Sequence, residues 1–284
     1  MAKIAFVMVA LAASVGALLM RRAQLFSQPP PAVETVQTAA GPVALPVRYY
    51  NGSLIGAFWL VDPAKAAELL PERLEPLVLP FLGAVAGLIM FEYRNTTIGS
   101  YGELGLTVQA VRKGSSQVSG VLAYLWDMVA NVLHFHEMLS VFEHDDSGLY
   151  VVTLPVTTEG AMAAGREIWG YNKYLAETTS DFTDPQKASF GLTGELEFGL
   201  EQPGFTLPAP GLPFLTYTEL EDQLMRTRVL VGHTARWGGA VEMRLAAGPT
   251  ADKLKALGVE GTAPHAVFRT DTLQADLPRG KKLP

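Results

Sequence analysis

The stretch Gly165-Arg166-Glu167-Ile168-Trp169-Gly170-Tyr171-Asn172-Lys173-Tyr174-Leu175-Ala176-Glu177 places a lysine just beyond a helix, in unusually apolar company. Thr158 is suited to cap a helix over Glu159 to Trp169, and Gly170 supplies the residue that ends it. Lys173 then follows, flanked by Tyr171, Tyr174 and Leu175. If its amine is buried, desolvation disfavours the ammonium form and lowers the pKa. A neutral amine can attack a ketone and condense to an imine. The protonated imine draws electrons from the adjacent carbon. It can take up the pair left when carbon dioxide departs, or when a neighbouring C–C bond is made or broken. Composition alone also allows a plainer reading, a solvated ammonium whose stem alone is packed.

Outward from this stretch the chain is rich in strand patterns. Val47 to Leu60 reads as strands around an Asn51-Gly52 turn. Asp62-Pro63 opens a short helix that Pro71 stops. Phe81 to Tyr93 reads as one or two buried strands, followed by strands at Leu104 to Val111 and Tyr150 to Val156. Beyond the lysine, Phe190 to Leu200, Tyr217 to Leu220, Met225 to Val231, Ala240 to Leu245 and Ala266 to Leu277 continue the pattern, with a helix over Pro249 to Leu257. The whole is expected to be a strand-rich α+β domain over residues 43–284, a closed or partly closed antiparallel barrel.

The 284 residues, 49% of them hydrophobic, suffice for one large core. A net charge of −6 argues against a nucleic-acid partner, because phosphate binding needs a concentrated basic surface. There is no cysteine, which excludes disulfides, thiolate nucleophiles and zinc-thiolate sites. Ile4 to Met20 is free of charge, between Lys3 and Arg21-Arg22. Residues 1–22 read as a signal peptide, a membrane anchor or a transit peptide, with a buried helix as the plain alternative. Pro29-Pro30-Pro31 lies within an extended linker over residues 23–42. Val118 to Phe142 is a second strongly apolar segment, suited to a lipophilic substrate, to a membrane surface or simply to extra core.

Phosphate-loop, dinucleotide, His-Glu-x-x-His and Gly-x-Ser-x-Gly motifs are all lacking, so no cofactor and no metal is expected. His134 and His136 would diverge by about 200° on a helix, which does not suit a shared metal ion.

Residues 165–176 resemble the segment around the Schiff-base lysine of the acetoacetate decarboxylase superfamily, which commonly reads Gly-Arg-Glu-(Leu/Ile)-x-x-(Tyr/Phe)-Pro-Lys. Phe91-Glu92-Tyr93-Arg94 and Ile98-Gly99-Ser100-Tyr101-Gly102-Glu103 resemble the family's two acidic segments, and Gly248-Pro249-Thr250 is a weaker match. The resemblance spans roughly residues 45–280. It implies a barrel or cone, an oligomer, and a lyase that forms an imine with a β-keto or α-keto acid through Lys173. It implies Glu103 and Glu92 as the carboxylates that manage protons, with Arg94, Tyr101, Tyr171 and Tyr174 near the substrate. The chain departs from the family's pattern at three positions. The proline before the lysine is Asn172, the lysine that follows it in the decarboxylases is Tyr174, and Gly52 falls where they carry an arginine; Arg94 or Arg166 could substitute for that arginine. A barrel that binds a small hydrophobic ligand without catalysis is the rival expectation, and a membrane-attached interaction module a third.

Overall fold

The computed structural model describes residues 34–121, 147–202, 208–210, 214–232 and 234–284. The apolar run 1–22 and nearly all of the segment 118–142, with His134 and His136, lie outside the described residues. β1 (Glu34–Thr38) and β2 (Gly41–Leu45) form an antiparallel hairpin, with Glu34 opposite Leu45. The sequence reading assigns most of this stretch to a linker. Val43 and Leu45 instead alternate inward and join the core, so the hairpin belongs to the folded unit.

β3 (Val47–Val61) runs unbroken through Asn51-Gly52. That pair is not a hairpin turn: the register with the next long strand slips between Tyr49 and Gly52, as in a bulge. α1 (Pro63–Ala67) starts as expected, with the Asp62 side chain accepting from the Ala64 amide at 2.8 Å. After β4 (Leu74–Pro76) and β5 (Val78–Leu79), a turn holding Phe81 at φ 64° leads into β6 (Gly83–Thr96), one strand. β7 (Tyr101–Arg112) and β8 (Ser147–Val156) follow. α2 (Glu159–Trp169) has the expected bounds. Thr158 accepts from the Ala161 amide, and Gly170, at φ 70°, closes the helix.

β9 (Lys173–Leu175) carries the candidate lysine. β10 (Thr178–Asp181), β11 (Lys187–Leu192) and β12 (Leu196–Glu201) meander on, so the apolar run from Phe190 to Leu200 is two strands with a turn at Gly194. β13 (Pro208–Pro210), β14 (Phe214–Leu220), β15 (Gln223–Gly232), β16 (Thr234–Trp237) and β17 (Ala240–Leu245) precede α3 (Pro249–Leu257). β18 (Ala266–Leu277) and β19 (Lys281–Lys282) complete the chain.

β10, β11, β12 and β17 form a four-stranded sheet beside the large one. In the large sheet the order β18, β3, β6, β7, β8, β14, β15 leads back to its start, because β15 also pairs with β18. Most pairings are antiparallel as expected; β8 with β9 and β8 with β14 are parallel. Alternation along the strands divides the large sheet into two faces. On β6, Ile89, Phe91 and Tyr93 join a core shared with α2 and the first hairpin. Leu88 and Met90 face the other way and pack with Trp59, Phe190, Phe198 and α3's Leu254 against the small sheet.

Candidate active site

Lys173 owes its position to backbone pairing on one side and to missing bulk on the other. β9 lies parallel to β8 with Lys173 opposite Leu154, and the Leu154 amide donates to the Asn172 carbonyl at 2.9 Å. The Asn172 side-chain amide donates to the Val152 carbonyl at 3.0 Å, so this residue, which stands where the resemblance expects proline, ties the turn to β8 itself. Gly165 faces the lysine from α2. A Cβ there would lie 2.4 Å from both Cδ and Cε of Lys173, so the helix makes room for the stem by having no side chain.

The amine ends in an ion pair. Lys173 Nζ is 2.6 Å from Glu103 Oε2, and the two side chains are only 6% and 8% exposed. Glu103 arrives from β7, and Tyr93, from the neighbouring strand β6, donates its hydroxyl to Oε1 at 3.3 Å. The Tyr101 and Tyr171 rings lie 5.5 and 5.9 Å from Nζ, within reach of a cation–π attraction. The Tyr49 and Tyr101 hydroxyls share a hydrogen bond of 3.0 Å. Burial, and next the charge of Glu103, raise the phenols of Tyr49, Tyr93 and Tyr101 above the ordinary range. Burial does the same for Tyr171. These hydroxyls therefore stay protonated at neutral pH and act as donors, not as bases.

Beside the pair opens a cavity of ≈ 80 Å³, enough for several waters or one small molecule. Lys173, Glu103, Tyr171, Tyr93 and Tyr49 line it together with Thr107 and Thr216, and the rest of its wall is aliphatic or aromatic. Lys173, Glu103 and Tyr171 are thus brought together as the sequence reading expects. Tyr101 stands a layer back, holding Tyr49.

Glu92 and Arg94 do not reach the cavity. They follow Phe91 and Tyr93 on β6, and alternation turns them to the opposite face. There Arg94 pairs with Glu92 at 2.7 Å and donates to Ser53 Oγ and Asn51 Oδ1, each at 2.8 Å. Tyr174 alternates away from Lys173 in the same way. It shares a 2.9 Å hydrogen bond with Thr250 and donates to Glu195 at the start of α3, and burial raises its pKa. Arg166 is exposed on α2, and Glu167 accepts from the Ala39 amide of the first hairpin. Neither arginine proposed as a substitute enters the site. Gly52 does face it, with Tyr93 and Leu273 its nearest side chains, but brings no group of its own. Tyr49, Tyr93 and Thr216 were missed from the sequence. For Tyr93 a signal exists, since a strand that sends Glu103 inward opposite Phe91 sends Tyr93 inward too.

A family model described as acetoacetate decarboxylase matches residues 29–196. The chain belongs to the acetoacetate decarboxylase family. Solved structures agree with that membership in fold. An acetoacetate decarboxylase from Legionella pneumophila is 18% identical, with TM-score 0.58 over 91% of this chain and 93% of that one. The enduracididine biosynthesis enzyme MppR, complexed with pyruvate, is 15% identical, with TM-score 0.55 over 85% and 92%. An acetoacetate decarboxylase-like enzyme from Sphingomonas wittichii RW1 is 14% identical, with TM-score 0.53 over 85% and 94%. No curated protein sequence matches the chain. At these identities the likeness speaks to fold, and the chemistry has to be argued from the residues.

Proposed function

We propose that this member of the acetoacetate decarboxylase family is a carbon–carbon lyase in which Lys173 forms an imine with a carbonyl substrate held in the cavity. The observation that carries this reading is the buried Lys173 Nζ, 2.6 Å from Glu103 and open to the cavity. Glu103 takes a proton from the ammonium and leaves a neutral amine. The amine adds to the carbonyl carbon, and the same carboxyl returns the proton to the carbonyl oxygen. A second transfer from nitrogen through Glu103 releases that oxygen as water. The product is the protonated imine beside a carboxylate, with every proton assigned. Cleavage of the next C–C bond, by loss of carbon dioxide or of an aldehyde, places its electron pair on the imine carbon's neighbour as an enamine. Glu103 is positioned to manage the proton that follows. Glu92 has no part in this mechanism. The keto acids implied by the family are the first substrates to try, and the pyruvate complex of MppR supports including them. On the same reading the circuit of strands is a barrel or cone around the cavity, and the run 1–22 exports or anchors it.

The test is reductive trapping. The protein is incubated with acetoacetate, pyruvate and a panel of other ketones, then borohydride is added and the mass of the Lys173 peptide is measured. A covalent adduct on Lys173 is expected, and Glu103→Gln should form it about a hundredfold or more slowly. The apolar wall also suits the rival reading, a module that only binds a hydrophobic ligand. No adduct with any carbonyl compound, despite measurable ligand binding, would establish that rival. For the N-terminal run, the mature mass and partitioning between membrane and soluble fractions decide; a soluble chain that keeps the segment overturns that assignment.

A further inference from the structure

We infer that the substrate of this site is a neutral, apolar ketone or aldehyde, with no carboxylate on the part of the molecule that enters the cavity. The inference rests on imine formation at Lys173 and narrows what reacts there.

Charge is the first ground. Among the described residues, Lys173 is the single cationic side chain that lines the cavity, and Glu103 already neutralises it at 2.6 Å. The segments outside the described residues between 34 and 284 contain no lysine or arginine. Condensation turns one ammonium into one protonated imine and releases water, so a neutral carbonyl compound leaves the pair as balanced as before. A keto acid adds a second negative charge beside Glu103 within largely apolar walls, with no second cationic side chain among the described lining residues to meet it. An uncompensated charge in such surroundings is strongly disfavoured, and one carboxyl would have to take up a proton first.

Hydrogen bonding is the second ground. A carboxylate held without a cation needs several donors. The hydroxyls that line this cavity already have partners. Thr107 donates to the Gly87 carbonyl at 3.2 Å. Tyr171 and Thr216 share a hydrogen bond at 2.9 Å, and Thr216 also reaches the Thr227 carbonyl. Tyr93 donates to Glu103, and Tyr49 is bonded to Tyr101. Around them, Ile89, Phe91, Leu149, Val151, Leu154 and Leu273 present only carbon. Such a wall suits an alkyl chain.

For such a substrate the bond that breaks is not one to a carboxylate. The reaction class is aldol cleavage of a β-hydroxy carbonyl compound, or its reverse. Glu103 takes the proton of the β-hydroxyl, the bond between the α and β carbons breaks, and an aldehyde leaves as its pair forms the enamine. The enamine is then protonated at the α carbon, and water frees the ketone.

Methyl propyl ketone and α-ketovalerate test the inference directly, because they differ only by a methyl in place of the carboxylate. Each is incubated with the full chain across a concentration series and trapped on Lys173 with borohydride. Half-maximal trapping is expected at a concentration about tenfold or more lower for the ketone. Val229→Arg, at a partly buried lining residue, adds a guanidinium and should raise trapping of α-ketovalerate relative to that of the ketone. Equal trapping of the two, better trapping of α-ketovalerate, or no gain in Val229→Arg would overturn the inference and leave the imine intact. Absence of any adduct from either compound would overturn the imine reading, and this inference with it.

Discussion

Two ion pairs of almost the same length lie on opposite faces of the same sheet. Arg94 meets Glu92 at 2.7 Å and Lys173 meets Glu103 at 2.6 Å. Their side chains are 35% and 33% exposed in the first pair, 6% and 8% in the second. Glu92 and Glu103 come from neighbouring strands and belong to the two acidic segments of one family pattern. Only one of them faces a cavity. Distance therefore says little about what a pair does; surroundings decide. The outer pair is screened by water and contributes to a polar network that any surface could carry. The inner pair sits where an unmatched charge is costly and a proton transfer is local.

That contrast can be broken in graded ways. Alkaline pH should have the largest effect, and chiefly through the inner face. The raised phenols of Tyr49, Tyr93, Tyr101 and Tyr171 keep their protons in the folded state. Below about pH 10 folded and unfolded chains bind the same phenolic protons, and this contribution to stability is complete. As pH rises above that value the unfolded chain deprotonates first, so stability falls by about 1.4 kcal/mol per pH unit for each phenol. Urea midpoints should hold steady from about pH 8 to about pH 9.5 and then drop steeply; a flat profile to about pH 11 would mean the phenols are not buried. Next, Lys173→Met should abolish adduct formation and, by leaving Glu103 buried without a cation, cost about 3–5 kcal/mol in urea unfolding. Gly165→Ala comes third. Its methyl would meet the Lys173 stem at 2.4 Å, so a loss of about 1–3 kcal/mol and a slowed trapping reaction are expected, even though alanine favours the helix. Smallest of all, Glu92→Gln should change stability by under about 1 kcal/mol and leave trapping rates unaltered. A large loss of activity there would erase the distinction between the faces.

The same contrast explains what the sequence could tell. Helix α2 was legible to the residue, because Thr158 and Gly170 are local signals whose meaning needs no tertiary context. The bounds of α3 and β18 were read equally well. Lys173 stood out through its neighbours, and Glu103 through the family pattern. Glu92, Arg94 and Tyr174 did not fall where expected, since each is one position from a cavity-facing residue and a strand reverses direction at every step. Nothing local in Phe91-Glu92-Tyr93-Arg94 says which parity faces inward; that depends on pairing with β7. The hairpin of β1 and β2 escaped notice for a related reason. Its few apolar residues find their purpose only against α2, where Glu167 holds the Ala39 amide.

Three rings from strands adjacent in the sheet, Tyr49, Tyr93 and Tyr101, stand with centroids 4.5 and 4.8 Å apart along the row, and Phe91 stacks beside the middle ring at 5.0 Å from Tyr93. Such a palisade has little rotational freedom left to surrender. A molecule arriving at the amine meets a surface already set in its final shape, so its approach direction is dictated by folding and not by rearrangement upon arrival. Under the imine chemistry proposed for Lys173, selectivity should accordingly respond more to the outline of the incoming chain than to its flexibility.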